Sequence, residues 1–203
     1  MKKTKNAAGR EIVTEFNGEV HTPFKGVGKH LPEGKKHAPA IASCSSYPAD
    51  GNKLVPSLKQ ALEKAGLRDG MTISTHHHFR NGDFLANLVF DLAHEMGVKG
   101  LRWFPSASFP CHKHLIQYLE DGTIERIEGS MNGPLGSFVS RGGMQGTGVL
   151  RSHGGRYQAI QDGEVQIDIA VIGAPTADSF GNANGISGSS ACGSLGFALA
   201  DSQ

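Results

Sequence analysis

Residues 71–96, MTISTHHHFRNGDFLANLVFDLAHEM, constrain the fold more than any other stretch of the chain. A short apolar and β-branched run from Met71 to Thr75 follows an Asp69-Gly70 turn. Phe84, Leu85, Leu88, Val89, Leu92, Ala93 and Met96 then recur at helical spacing as far as Gly97. That pattern predicts a strand, a tight polar turn and an amphipathic helix. The turn carries His76, His77, His78, Arg80, Asn81 and Gly82. A strand-to-helix junction leaves the first backbone N–H groups of the helix without internal partners, pointing beyond the end of the strand. The junction is therefore expected to receive an anion or an oxyanion.

The same alternation continues on both sides. Leu54, Leu58, Ala61, Leu62 and Ala65 lie at helical spacing before Gly66, with Pro56 tolerated in the first turn. A second strand is expected at Leu101–Phe104, leading into PSASFP, then a helix over His112–Glu120 and a third strand at Thr123–Ile127. Strand and helix in turn predict an α/β domain: a mainly parallel sheet flanked by helices. Ligands of such sheets bind beyond the carboxyl ends of the strands, which puts Thr75–Gly82 and Ser106–Ser108 on one rim. Glycines crowd the stretch from Gly129 to Gly155 and hide any regular element there. A strongly apolar strand, Val165–Ile172, has Asp168 inside it and leads to the loop APTADSFGNANG, and Ser189–Leu199 is expected to begin a last helix. Ala40–Ser46 reads as a short extended segment. The domain is set at residues 41–203, behind an irregular, polar and basic arm over 1–40.

Charge excludes some partners. Twenty Lys and Arg nearly cancel nineteen Asp and Glu, so no overall field recruits nucleic acid or a membrane surface. Cys44, Cys111 and Cys192 are odd in number and widely spaced, which suits reduced thiols and a cytoplasmic setting. Lys2, Lys3, Lys5 and Arg10 precede no apolar run, so no secretory signal is expected, and no stretch approaches the roughly 18 apolar residues of a spanning helix. A metal site built on His76–His78 with Cys111, His112 and His114 is not expected, because adjacent histidines in a turn do not converge on a tetrahedron. Imidazole donors beside the two-pronged Arg80 guanidinium suit carboxylates instead.

An Asp-Gly turn, a short strand, a loop closing on Phe79, then Gly82 and an apolar helix together resemble the first-domain signature of the coenzyme A transferases. The segment LPEGKKHAPAIASCSSYPADGNKLVPSLKQALEKAG, the histidine loop, MNGPLG, RGGMQG and IDIAVIGAPTADSFGN resemble the citrate lyase alpha subunits in particular, over nearly the whole chain. In the wider family the loop before Phe79 is glycine-rich; histidines replace those glycines here, as in the citrate lyase subgroup.

The resemblance implies a coenzyme A transferase-like domain that is the first half of a two-half enzyme, with the active site between the halves. No internal repeat is found within the chain. The implied reaction exchanges acetate for citrate on the thioester of acetyl-CoA or of the phosphopantetheine-type arm of an acyl carrier protein, with no tightly bound cofactor. The implied partners are a beta (lyase) and a gamma (acyl carrier protein) subunit, with this chain a homo-oligomer within a larger complex. The implied substrate contacts are His76, His77, His78, Arg80, Asn81, Gly82, Asn132, Gly133, Arg141, Gly142 and Gly143. The catalytic glutamate of the wider family has no assignable position and is expected outside this chain. SRGGMQGTG lacks the GK[ST] ending of a nucleotide loop. Asp178, Gly181, Asn182 and Asn184 suit either a site or a turn. A sugar-phosphate isomerase of related fold and a non-catalytic docking half-domain stay open as alternatives.

Overall fold

The computed structural model describes residues 2–6, 9–16, 19–20, 22–23, 51–77, 79–189, 191–193 and 198–201. It divides into two compact units, Met1–Lys36 and His37–Gln203, where the sequence reading set its boundary at 40/41. The segment Ala40–Ser46, Cys44 and His78 lie outside the described residues.

The described residues of the first unit include short strands where composition suggested an irregular arm. β1 (Lys3–Lys5) pairs antiparallel with β2 (Glu11–Val13), and β3 (Glu15–Phe16) pairs with β4 (Glu19–Val20). Local hydrogen bonding makes the first hairpin: the Asn6 side chain accepts the Arg10 amide at 3.0 Å, a turn that polar composition alone does not reveal.

The second unit opens with α1 (Leu58–Lys64), whose N-cap Ser57 accepts the Gln60 amide at 3.2 Å. The helix starts at this cap and not at Leu54, which is exposed. β5 (Thr72–Thr75) and α2 (Leu85–Glu95) follow as the periodicity predicts, and then β6 (Leu101–Pro105). Residues Pro110–Leu115 wind as a 3-10 helix ahead of α3 (Ile116–Glu120), so the expected single helix is two. β7 (Ile124–Ile127) completes one side of the sheet. The glycine-rich stretch yields two helices, α4 (Gly133–Ser140) and α5 (His153–Gln161). β8 (Ile169–Val171) is shorter than the apolar run around it. Its start is set by Asp168, whose carboxylate takes the Thr72 amide at 2.7 Å while its own amide bonds the Thr72 carbonyl. β9 (Thr176–Ala177) and β10 (Ala183–Asn184) form a hairpin. Residues 191–193 run as a loop, the Cys192 and Gly193 amides both bonding the Gly185 carbonyl, and the last described helix is the short α6 (Ala198–Asp201).

β5 to β8 form a parallel sheet in the order β7-β6-β5-β8. The chain steps outward from β5 to β7 and then returns to the far side of β5, so the strand order reverses beside β5. Crevices open at such reversals, beyond the carboxyl ends of the strands.

The two faces of this sheet differ. On one, Ile73, Leu101, Trp103, Ile124, Ile127 and Ile169 pack with Ala86, Val89, Phe90 and Ala93 of α2 and with Leu115 and Leu119. Trp103 meets Phe90 edge-on at 5.7 Å and donates its indole N–H to Thr75 Oγ1 at 2.9 Å. Alternation turns Ser74, Arg102 and Phe104 to the other face. There Phe104 packs with Ala159, Ile160, Val165 and Ala200 beside buried charge. Arg156 donates to both oxygens of Asp201 at 2.8 and 2.9 Å and to Ser74 Oγ at 2.5 Å, while Ser74 Oγ and His76 Nε2 also bond the Asp201 carboxylate. Nearby, Glu128 is buried and receives Arg151 at 2.5 Å.

Two stability predictions follow from this packing. Gly129 has φ +153°, and an added Cβ would lie 2.1 Å from the Pro105 carbonyl oxygen; Gly154 in α5 has open space around it. Urea unfolding should show Gly129→Ala losing at least about 2 kcal/mol, with Gly154→Ala neutral or gaining up to about 1 kcal/mol. Burial pushes the Asp201 carboxyl upward, but its bonds to His76 and Arg156 outweigh that and hold it at about 2. A carboxyl depressed in the folded state stabilises the fold above its unfolded value, roughly 4, and that contribution is lost as pH falls toward the folded value. Thermal melts across pH should therefore show a falling low-pH limb, and Asp201→Asn should flatten it.

Candidate functional site

The residues following β5 diverge in two directions. His76 turns inward, is 5% exposed, and is tied to Asp201 beneath the sheet end. One histidine of the run is thus a packed, hydrogen-bonded ring under the loop. His77 lies on the opposite side and is half-buried at the rim. Its amide donates to Ser106 Oγ at 3.1 Å, and its Nδ1 lies 2.5 Å from the same hydroxyl. Ser106 is the first residue after β6, so the ends of the two adjacent strands are joined through this histidine. The His77 ring also faces Phe109 at 5.5 Å and meets His153 edge-on at 5.3 Å.

His153 was not singled out from sequence. It lies at the start of α5, behind the N-cap Ser152, which accepts the Gly155 amide at 3.0 Å. The available signal was Ser152 ahead of Ala159 and Ile160, but Gly154 and Gly155 masked the helical pattern.

The junction does not present α2 to an anion as expected. Asp83, 2% exposed, places its carboxylate on the Leu85 amide at 3.1 Å and so occupies the helix start with the protein's own negative charge. The preceding amides close a tight turn: Arg80 N–H bonds the His77 carbonyl at 2.8 Å, Gly82 N–H that of Phe79 at 3.2 Å, and Asp83 N–H that of Arg80 at 3.1 Å. Four of the amides of this junction are thus engaged within the protein. Arg80 holds a left-handed backbone, φ +57°, and is exposed; a non-glycine residue there stores strain on the order of 1 kcal/mol, and such strain clusters at active sites, ligand clamps and switch regions. Asn81 braces the loop, accepting the Cys111 amide at 2.9 Å. Gly82 has neither a positive φ nor a close neighbour, so no packing reason accounts for glycine there.

Beneath the loop, His112 Nδ1 accepts the Phe109 amide at 2.9 Å and Nε2 faces Asp83 at 3.9 Å. Burial lowers its basicity more than Asp83 raises it, so the ring is a neutral structural element. Burial likewise pushes the Cys111 thiol up, away from nucleophilic thiolate. Among the described residues, no three His, Cys, Asp or Glu side chains cluster as metal ligands, and no described helix is long and apolar enough to cross a membrane.

The glycine-rich motifs divide. Asn132 interlocks with the β6 loop: its amide donates to Ser108 Oγ at 2.9 Å and its side chain to the Ser108 carbonyl at 3.2 Å. Asn132, Gly133 and Arg141 line one open cavity of about 720 Å³ along α4, with Ser137, Ser140, Met131 and Leu150 among its walls. Gly142 and Gly143 have local reasons to be glycine. Gly142 ends α4 in the left-handed conformation at φ +76°, and a Cβ on Gly143 would meet the Phe138 ring at 2.5 Å. In the APTADSFGNANG loop the turn reading prevails. Asp178 accepts the Phe180 and Asn182 amides and the Asn182 side chain, each at 2.9 Å, and Asn184 accepts the Ile186 and Ser187 amides at 3.0 Å.

Comparison with known proteins adds what geometry alone does not. Residues 51–203 match the family described as citrate lyase, alpha subunit. The chain is 43% identical over 156 residues to the citrate lyase alpha chain of Escherichia coli K12, covering 76% of this chain and 31% of that protein. The citrate lyase alpha chain of Klebsiella pneumoniae is 45% identical over 152 residues, covering 74% of this chain and 30% of that protein. The matched stretch thus spans about a third of each relative's length. A Streptococcus mutans protein, described as an alpha subunit of citrate lyase and crystallised in complex with citrate, superposes with a TM-score of 0.77 at 39% identity, covering 85% of this chain and 33% of that one. A parallel α/β sheet with this match over most of its length leaves one family: the chain belongs to the citrate lyase alpha subunits.

Proposed function

We propose that this chain supplies the citrate-binding half of a transferase that exchanges acetate for citrate on an acyl thioester. The observation that carries the reading is the convergence of His77, Ser106 and His153 at the strand ends beside the reversal of strand order. The 39% identical neighbour solved with citrate supports the choice of ligand. Citrate carries three carboxylates at neutral pH, and two imidazoles with a hydroxyl and the exposed Arg80 offer complementary donors.

In the proposed reaction a citrate carboxylate oxygen attacks the acetyl thioester carbonyl and expels the thiolate, leaving a citric–acetic mixed anhydride. The thiolate then attacks the citryl carbonyl and expels acetate, giving the citryl thioester. No nucleophile from this chain is needed. Its residues hold the tricarboxylate in line with the thioester, worth several kcal/mol in effective concentration, and donate to the oxyanion formed in each step. The cavity along α4 suits the thioester arm. Its walls mix Met131 and Leu150 with Asn132 and two serines, and Arg141 is the one charged residue among the described lining. Asn132 ties that cavity to Ser108, two residues beyond the serine that holds His77. The partners in this reading are beta and gamma citrate lyase subunits, the gamma subunit carrying the arm, and acetyl-CoA stands in for it in solution.

The test is mass-spectrometric detection of citryl-CoA from acetyl-CoA and citrate, using the full-length protein that contains this chain. Product formation is expected; none, with citrate binding no tighter than ribose 5-phosphate in calorimetry, overturns the reading. His77→Ala should lower kcat/KM for citrate on the order of 100-fold, the usual effect of losing one preorganised donor, with the folded far-UV circular dichroism spectrum retained. Arg141→Ala should raise the KM for acetyl-CoA roughly ten-fold through loss of a charge-assisted contact while leaving that for citrate in place.

A further inference from the structure

α5 carries His153 in its first turn and Arg156 three residues on, on the same side of the helix. Arg156 grips Asp201 with two nitrogens, at 2.8 and 2.9 Å, and reaches Ser74 Oγ at 2.5 Å and the Phe104 carbonyl at 3.3 Å. Its guanidinium also lies over the Phe104 ring, 4.5 Å from the centroid. Asp201 in turn bonds Ser74 and His76. One carboxylate thereby fastens α5 and α6 to the last residues of β5, immediately ahead of His77. Arg156, Asp201, Ser74 and His76 are each at most 5% exposed.

Stability gives no sufficient reason for such a cluster. Buried ion pairs are commonly no more stabilising than apolar side chains of the same volume, because both charges lose their hydration. Phe104, Ala159, Ile160, Val165 and Ala200 already cover the same face with hydrocarbon. What the ionic cluster adds is direction. A two-pronged guanidinium–carboxylate contact fixes orientation as well as distance, which neither a lysine nor an apolar pair reproduces.

We propose that Arg156 and Asp201 form a positioning clamp that sets His153 against His77 and so shapes the citrate-binding rim. The proposal rests on the reading of that rim as the citrate site. Arg156 and Asp201 touch no substrate; they act through the rigid helix that carries His153 and through the strand end that carries His77. Displacement of α5 by about an ångström would open the 5.3 Å ring contact, and errors of that size are enough to weaken a preorganised site.

The experiment compares the full-length parent with Arg156→Lys, which keeps the charge and loses the fork. Two readouts are taken: KM for citrate against KM for acetyl-CoA, and the rates at which His77 and His153 are carbethoxylated, resolved by peptide mass spectrometry. The expected result is a citrate KM raised roughly ten-fold, an acetyl-CoA KM within about two-fold of the parent, and faster labelling of both histidines together. A folded Arg156→Lys protein with parental labelling at both positions and a parental citrate KM overturns the clamp. Should Arg156→Lys fail to fold, Asp201→Asn, which keeps shape and removes charge, is judged by the same two results. A parent that forms no citryl-CoA sinks the functional reading instead, and the labelling rates alone then decide the clamp.

Discussion

A single buried carboxylate, Asp201, ties together the end of the central strand and two helices from much later in the chain. It binds Arg156, Ser74 and His76 at a depth where water cannot compete. Isolated charges at that depth would be costly, so each member of the group holds the others in place. The sheet is consequently asymmetric. One face is an ordinary hydrocarbon layer around Trp103 and Phe90; the other is an oriented polar layer with a smaller apolar patch. Rigidity without direction comes from the first, and direction from the second.

That asymmetry explains how a sheet of four short strands can present a defined rim. The order β7-β6-β5-β8 opens a crevice beside β5. His77 bridges β5 to β6 through Ser106, and α5 brings His153 across from the polar face. At the start of α2 the Asp83 carboxylate takes the Leu85 amide, so the protein's own negative charge sits there. With the Leu85 amide on Asp83 and the Arg80, Gly82 and Asp83 amides closing the turn, imidazole and hydroxyl groups are the donors the proposed site draws on.

The relatives' lengths set the scale of what this chain does. Its matched residues cover about a third of each alpha chain, and its described residues bring His77, Ser106 and His153 together at the strand ends. Cys111 is held as a thiol, and His112 is neutral and packed.

The sequence by itself determined the parallel α/β class, the β5–α2 unit, β6 and β7, because these rest on local periodicity: residues 71–96 bury one helical stripe and one strand whatever the rest of the chain does. It also pointed to a candidate rim at Thr75–Gly82 and Ser106–Ser108, since strand ends are fixed by the same pattern. Tertiary structure alone decided which histidine faces inward, because Asp201 lies 125 residues from His76 and no local pattern links them. It alone revealed α4 and α5, where glycine lowers helix propensity and packing overrides it, and it alone brought His153 to His77. The family resemblance made Gly142 and Gly143 candidate substrate contacts; neighbours add a helix end and the Phe138 ring as local reasons for glycine there. Local chemistry fixed the elements, and long-range charge pairing and steric fit fixed what they present.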